Sequence, residues 1–253
     1  YTLRQLLIPC CLAALVADLS RTVLPISLGA LVDYRGFTLA NVGYVGSVEI
    51  LGMALAVAIS TGLINRVPRN RLAFIAAIAL GLTQISSAFT LAPSLFFAER
   101  FVAGLSAGCM AGVLASTIAL AQAPERLTAF IYLIDALLAS LLYLVLPAVI
   151  VRFELAGAYA LLGAATLLIA PVFLLLPARG PAATPASAGL RKDAVRVIGF
   201  AIILSAAAAA HWTFTERMAL QVGLNMAQVG QVFTASLVVS NMGGLIGAWI
   251  GER

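Results

Sequence analysis

Residues 36–45 read GFTLANVGYV, and residues 223–232 read GLNMAQVGQV. Five of the ten positions are identical, and others exchange like for like: Phe37 with Leu224, Leu39 with Met226, Asn41 with Gln228. The phrase returns after 187 residues (223 minus 36), so the repeated unit is half of an architecture rather than a short motif. In both copies a glycine closes one helix, Thr38 or Asn225 stands where an N-cap belongs, and Val-Gly follows in the first turn of the next helix. Extending the alignment pairs 36–66 with 223–253 and sets Ile59 on Ile246 and Arg66 on Arg253. Identity among Leu, Val and Ala is cheap in apolar stretches, whereas a matched polar turn is not.

The chain of 253 residues is 62% hydrophobic and 10% charged, with a mean hydropathy of +1.07. Soluble domains carry about a quarter charged residues. The apolar stretches run to about 20 residues or more, the length of a helix crossing ~30 Å of hydrocarbon, and they do not alternate as barrel strands do. The fold class expected is therefore all-α integral membrane. Eight spans are predicted, at 5–32, 39–64, 72–92, 95–121, 127–151, 155–177, 194–220 and 226–250. The first is too long for a signal peptide core and lacks a cleavage pattern.

Alternating the connections puts Arg4, Arg66, Arg69, Arg71, Arg126, Arg179, Arg191, Lys192, Arg196 and Arg253 on one side, and only Arg35, Arg152 and Arg217 on the other. By the positive-inside rule the N-terminus is expected in the cytoplasm, and the net charge of +5 reflects topology rather than a nucleic-acid partner. Cys10, Cys11 and Cys109 fall inside spans and offer neither a disulfide framework nor metal-ligand spacing. No cofactor is expected, and no G-x-S-x-G, H-E-x-x-H or Cys/His cluster suggests an enzyme. Both copies of the repeat run from the outer side inward, so the repeat is parallel, an arrangement known among transporters.

Two further stretches carry a resemblance. Residues 61–71, TGLINRVPRNR, are similar to the loop between helices 2 and 3 of the major facilitator superfamily, with pattern G-x-L-x-D-R-x-G-R-[RK]. Leu63, Arg66, Arg69 and Arg71 fit; Thr61, Asn65 and Pro68 depart, and the missing acid at Asn65 bears on the family's cytoplasmic gating ion pair. Residues 98–112, AERFVAGLSAGCMAG, resemble the R-x-x-x-G-x-[GS]-x-G stretch of helix 4 through Arg100, Gly104, Ser106 and Gly108. Here Arg100, Gly104, Gly108 and Gly112 share one helix face, and glycines so spaced let two backbones approach. The helix-5 glycines of drug/proton antiporters are absent around Pro147.

The resemblance covers essentially the whole chain. It implies a six-helix N-terminal bundle over 1–178, a cytoplasmic linker over 179–193 and the first two helices of a second bundle over 194–253. The chain starts at Tyr1 rather than Met and stops at Arg253, where the second gating loop with Glu252 begins. On a faithful repeat, about four further spans are expected after residue 253.

Ionisable groups within spans cost about 2.5–3.5 kcal/mol on insertion scales and mark function by default. Asp18 and Arg21 lie three apart near the middle of span 1, self-paired or facing a cavity, with Pro25 freeing a backbone carbonyl nearby. Glu49 lies mid-span 2 on a small-residue face with Arg100 or Arg21 as candidate partners, or is held neutral. Asp135 lies a third of the way into span 5. His211, the only histidine, lies in span 7, tolerated by a local partner or acting as a proton or substrate group. Glu99 reads as a rim group that reaches water, and Glu216 with Arg217 as a solvated pair or an outer gate.

The function expected is a secondary active transporter of a small organic solute, proton-coupled by resemblance, with Asp18, Arg21, Glu49, Arg100, Asp135 and His211 converging on one water-accessible cavity. The loop residues Asn65, Arg66, Arg69, Arg71, Glu252 and Arg253 would gate it. The partners are the lipid bilayer, protons and a solute, with the two mid-membrane arginines favouring an organic anion. The location expected is the bacterial inner (plasma) membrane. The alternatives are a hydrophobic-compound exporter of the same superfamily and a transport-inactive membrane sensor.

Overall fold

The computed structural model describes residues 1–180 and 192–251; most of the linker (181–191), with Glu252 and Arg253, lies outside the described residues. Seven α-helices follow one another: α1 (Leu3–Arg35), α2 (Leu39–Leu63), α3 (Arg69–Phe89), α4 (Pro93–Ile118), α5 (Pro124–Ile169), α6 (Lys192–Gln221) and α7 (Met226–Gly251), with a 3₁₀ turn at Ala170–Leu175. Five of the described helices are long and apolar enough to cross a membrane, and α5 with its 3₁₀ extension covers 52 residues. That is twice the length of one crossing. The two spans expected at 127–151 and 155–177 are the two arms of α5, which meet at Glu154, where the backbone leaves the helical region.

Glu154 has φ 56° and ψ −161° and is the only non-glycine residue at positive φ among the described residues. That backbone region is essentially reserved for glycine, and a side chain there costs about 1–3 kcal/mol. Glycine would relieve the strain at an entropic cost of about 0.4–1 kcal/mol. Glu154→Gly should therefore raise the unfolding midpoint in detergent, by about 1 kcal/mol of stability. A midpoint equal to or below that of Glu154→Ala would show that the turn is unstrained.

The two copies of the opening phrase fold alike. Gly36 and Gly223 both take left-handed backbone, φ 66° and 91°. The Thr38 hydroxyl accepts from the Asn41 amide at 3.2 Å, while Asn225 and Gln228 cap reciprocally, each amide donating to the other's side-chain oxygen at 2.9 Å. Such caps satisfy donors that a helix start otherwise leaves unpaired.

Two apolar cores form, at opposite ends of the bundle. One gathers Leu6 to Ala17 of α1, Leu72 to Leu80 of α3, Ala103 to Val113 of α4 and Leu127 to Ile131 of α5. The other gathers Leu19 to Leu31 of α1, Phe96 of α4 and Tyr143 to Leu162 of α5, with Val229 and Phe233 of α7. Asp18 sits at the boundary on α1, Gln84 and Ser87 on α3, Glu99 and Arg100 on α4, Asp135 and Ser140 on α5. The polar residues of the spans therefore occupy the seam between two cores.

Lipid gives no hydrophobic drive to helix association, so close backbone packing must hold the bundle. The face of α4 with Gly104, Gly108 and Gly112 does this against α2. A Cβ on Gly104 would fall inside the Glu49 carbonyl, one on Gly108 inside the Met53 carbonyl, and one on Gly112 against the Ser60 hydroxyl. The seam is reciprocal, because a Cβ on Gly52 of α2 would meet the Phe101 carbonyl at 2.5 Å.

The second half is joined through an aromatic cluster. Tyr143 of α5 meets Phe233 of α7 edge-on at 5.0 Å, and Trp212 of α6 stacks on Phe233 at 5.2 Å. Pro147 has no amide to donate to the Tyr143 carbonyl, and Gly230 of α7 packs directly over that carbonyl.

Candidate functional site

The seam holds a buried charge cluster and two cavities. Arg100 is 1% exposed, although a guanidinium is among the costliest groups to desolvate. It donates to Gln84 Oε1 at 3.0 Å and Ser87 Oγ at 2.6 Å on α3. Its charge lies 3.9 Å from Glu49 Oε2 on α2, and its plane packs over Tyr159 (4.7 Å) and Phe96 (5.5 Å). The three glycines that follow Arg100 bring α2 close enough for Glu49 to reach it.

Glu99 differs from its expected role at the rim. It is buried and accepts from three hydroxyls: Ser86 at 2.5 Å, Ser87 at 2.9 Å and Thr90 at 2.7 Å. The hydroxyl-rich end of α3 supplies the donors that water would otherwise supply. Ser87 accepts from Arg100 and donates to Glu99, so it links the two charges. Arg35, from the end of α1, donates to the Ala88 and Thr90 carbonyls and closes the C-terminus of α3.

Glu49 also faces a small cavity with Ala17, Arg21, Leu24, Met53 and Gly104. A second, larger cavity of about 230 Å³ lies between α1, α4 and α5, and Ala17 borders both. Its polar lining is Asp18, Thr128, Tyr132 and Asp135. Asp18 pairs with Arg21 at 2.7 Å, a bond within one helix turn.

Among the described residues, the six pathway residues are not brought to one cavity. Asp18 and Asp135 share the larger one, Arg21 and Glu49 share the smaller, and Arg100 lies behind Glu49 within the α2–α3–α4 packing. His211 is exposed and lines neither. The register of α6 explains this. Trp212, Glu216, Ala219 and Leu220 form the stripe turned inward, which rotates His211 away.

The gating loop divides as well. Asn65, Arg66 and Arg71 are exposed, but Arg69 is buried. It donates to Ser116 Oγ at 3.1 Å, and its amide bonds the Ala178 carbonyl at 2.9 Å. Within the described residues this loop ties α3 to α4 and to the end of the first bundle.

At the opposite end, Arg217 of α6 reaches α1. It pairs with Asp33 at 3.0 Å, donates to the Gly29 carbonyl and lies 3.5 Å from Glu216, whose side chain is fully buried. Asp33 carried no sequence expectation. Its signal was position: it lies three residues before Gly36, and Arg217 lies six before Gly223, so the repeat brings both to the same end.

The sequence matches no family model and no curated protein. Among solved structures the chain is similar to a D-xylose-proton symporter, at a TM-score of 0.72 and 16% identity, over 98% of this chain and 69% of that one. The chain shares that fold, and its five long apolar described helices are those of a multi-pass integral membrane protein.

Proposed function

We propose that the chain works as a secondary active transporter of a small organic solute, coupled to protons, in which two helix bundles alternate the exposure of a site near the bilayer middle. The observation that carries this reading is the seam: Asp18 and Asp135, from different helices, border one polar cavity between two apolar cores. The described lining comes from the first bundle alone, and alternating access would have the second bundle close over it. Sharing its fold with a proton symporter supports the coupling. The basic residues Arg66, Arg71 and Arg126, all at the end opposite Gly36, support a cytoplasmic N-terminus, as in a bacterial inner membrane.

Glu49 is the coupling carboxyl we favour. Its ion pair with Arg100 is long, at 3.9 Å, and Arg100 keeps Gln84 and Ser87 as partners whichever form Glu49 takes. Glu49 also borders the small cavity that Arg21 lines, which gives it a route to the larger cavity past Ala17. Glu49→Gln in the full-length protein reconstituted into vesicles should abolish uptake or efflux driven by a pH gradient while solute exchange continues. Equal gradient dependence in variant and wild type would remove Glu49 from that role.

One observation favours the alternative, export of a hydrophobic compound. A cavity of about 230 Å³ between α1 and both arms of α5 is lined by Leu, Val, Ile and Ala side chains, with Thr166 as the sole hydroxyl. Thr166 donates to its own helix at the Leu162 carbonyl, which leaves the wall apolar. Apolar solutes competing for transport, with no effect of changes at Asp135, would favour this reading.

A further inference from the structure

We infer that the cavity between α1, α4 and α5 selects an organic ammonium rather than an organic anion; this rests on the transport reading and specifies its substrate class. Asp18 and Asp135 are acceptors. Thr128 has committed its proton to the Pro124 carbonyl at 2.7 Å, so toward the cavity it too can only accept. Tyr132, whose side chain is largely exposed, offers the one hydroxyl proton and an aromatic face. The remaining lining, Ala14, Ala17, Ala111, Leu114, Ala115, Ile118 and Ile131, is apolar. A wall of acceptors is complemented by a ligand rich in donors.

Charge points the same way. Arg21 is held by Asp18 at 2.7 Å, and its side chain turns toward the smaller cavity. Asp135 has no hydrogen-bond or ion-pair partner among the described residues. The three groups together leave one uncompensated negative charge beside the cavity. Arg100, which the sequence offered to an anion, is enclosed by Glu49, Gln84, Ser87, Phe96 and Tyr159 and has no face on this space.

Tyr132 and Asp135 stand three apart on α5, so ring and carboxylate lie on one face. A carboxylate beside an exposed aromatic face is a recognised arrangement for binding ammonium groups. Asp135 would take the N–H donors, Tyr132 would cover the cation, and the alanine-rich faces of α1 and α4 would admit a compact apolar body.

The test uses benzylamine, protonated at neutral pH, and benzoate, its near-isosteric anion. Binding to the full-length protein in detergent is measured calorimetrically, and flux is measured in proteoliposomes under an imposed pH gradient. Benzylamine should bind and benzoate should not. Asp135→Asn should weaken benzylamine at least tenfold, while Asp135→Glu should retain most of the affinity. Benzoate binding in place of benzylamine, binding of neither, or unchanged benzylamine affinity in Asp135→Asn would each overturn the assignment. These failures leave the transport reading standing wherever gradient-driven flux of another solute persists. Benzylamine binding that obeys the Asp135 pattern without any flux would support the site and count against transport.

Discussion

Gly104→Leu should abolish the folded bundle. A Cβ at Gly104 already falls within the Glu49 carbonyl and within 3.1 Å of the Met53 amide, both backbone atoms of α2 that no rotamer change can move. Overpacking of a tight site costs about 1–3 kcal/mol even for small insertions. An isobutyl group here must push two helices apart along the Gly104–Gly108–Gly112 face, where packing rather than hydrophobicity supplies the association. Gly104→Ala should lose about 1–3 kcal/mol, and Gly104→Leu should leave no monodisperse protein in detergent. Gly62→Ala is the control. It lies in the same seam's α2, meets nothing within 4 Å, and should gain up to about 1 kcal/mol from helix propensity. Equal tolerance at both positions, read by size exclusion and thermal unfolding, would contradict the packing described.

Arg100→Met should be nearly as damaging, for an electrostatic reason. Removing one partner of a buried ion pair costs about 3–5 kcal/mol, because the other charge is left uncompensated. Here Glu49 would lose its cation, and Gln84 Oε1 and Ser87 would each lose a charged donor. Arg100→Lys should recover only part of the loss, since a point charge cannot meet Gln84, Ser87 and Glu49 at once and cannot stack on Tyr159. Glu49→Gln combined with Arg100→Met should be more stable than Arg100→Met alone, because the charge that Arg100 faced is gone. A double variant no better than the single one would show that Glu49 is not what Arg100 compensates.

Much of this was readable before any coordinates. The apolar stretches set the helices within a few residues, because backbone groups in hydrocarbon must be satisfied within the segment itself. The matched phrases at 36–45 and 223–232 marked two turns that fold alike, since glycine at positive φ and a polar cap have few substitutes. The ridge of glycines after Arg100 announced a close partner helix, but not that α2 was the partner. Burial state was harder to read. Glu99 looked like a rim group because its position in the span says nothing of the three hydroxyls α3 brings to it. His211 looked central because helix register relative to a neighbour is set by packing: Trp212 and Glu216 claim the inward stripe of α6. The division of Asp18, Arg21, Glu49, Arg100 and Asp135 between two cavities and a buried cluster depends on crossing distances between helices, which no local pattern encodes.

The central proposal is a cavity open to one side at a time, with the Asp33–Arg217 pair as the contact that would close the Gly36 end. The direct measurement places a cysteine at Tyr132 in full-length protein with Cys10, Cys11 and Cys109 replaced by alanine. Its reaction with a membrane-impermeant thiol reagent is then followed from each side of sealed vesicles. The account predicts reaction from the side bearing the α2–α3 loop, and faster reaction when a disulfide between Asp33→Cys and Arg217→Cys locks the other end. Equal reaction from both sides at once, or a rate indifferent to the lock, would contradict alternating access.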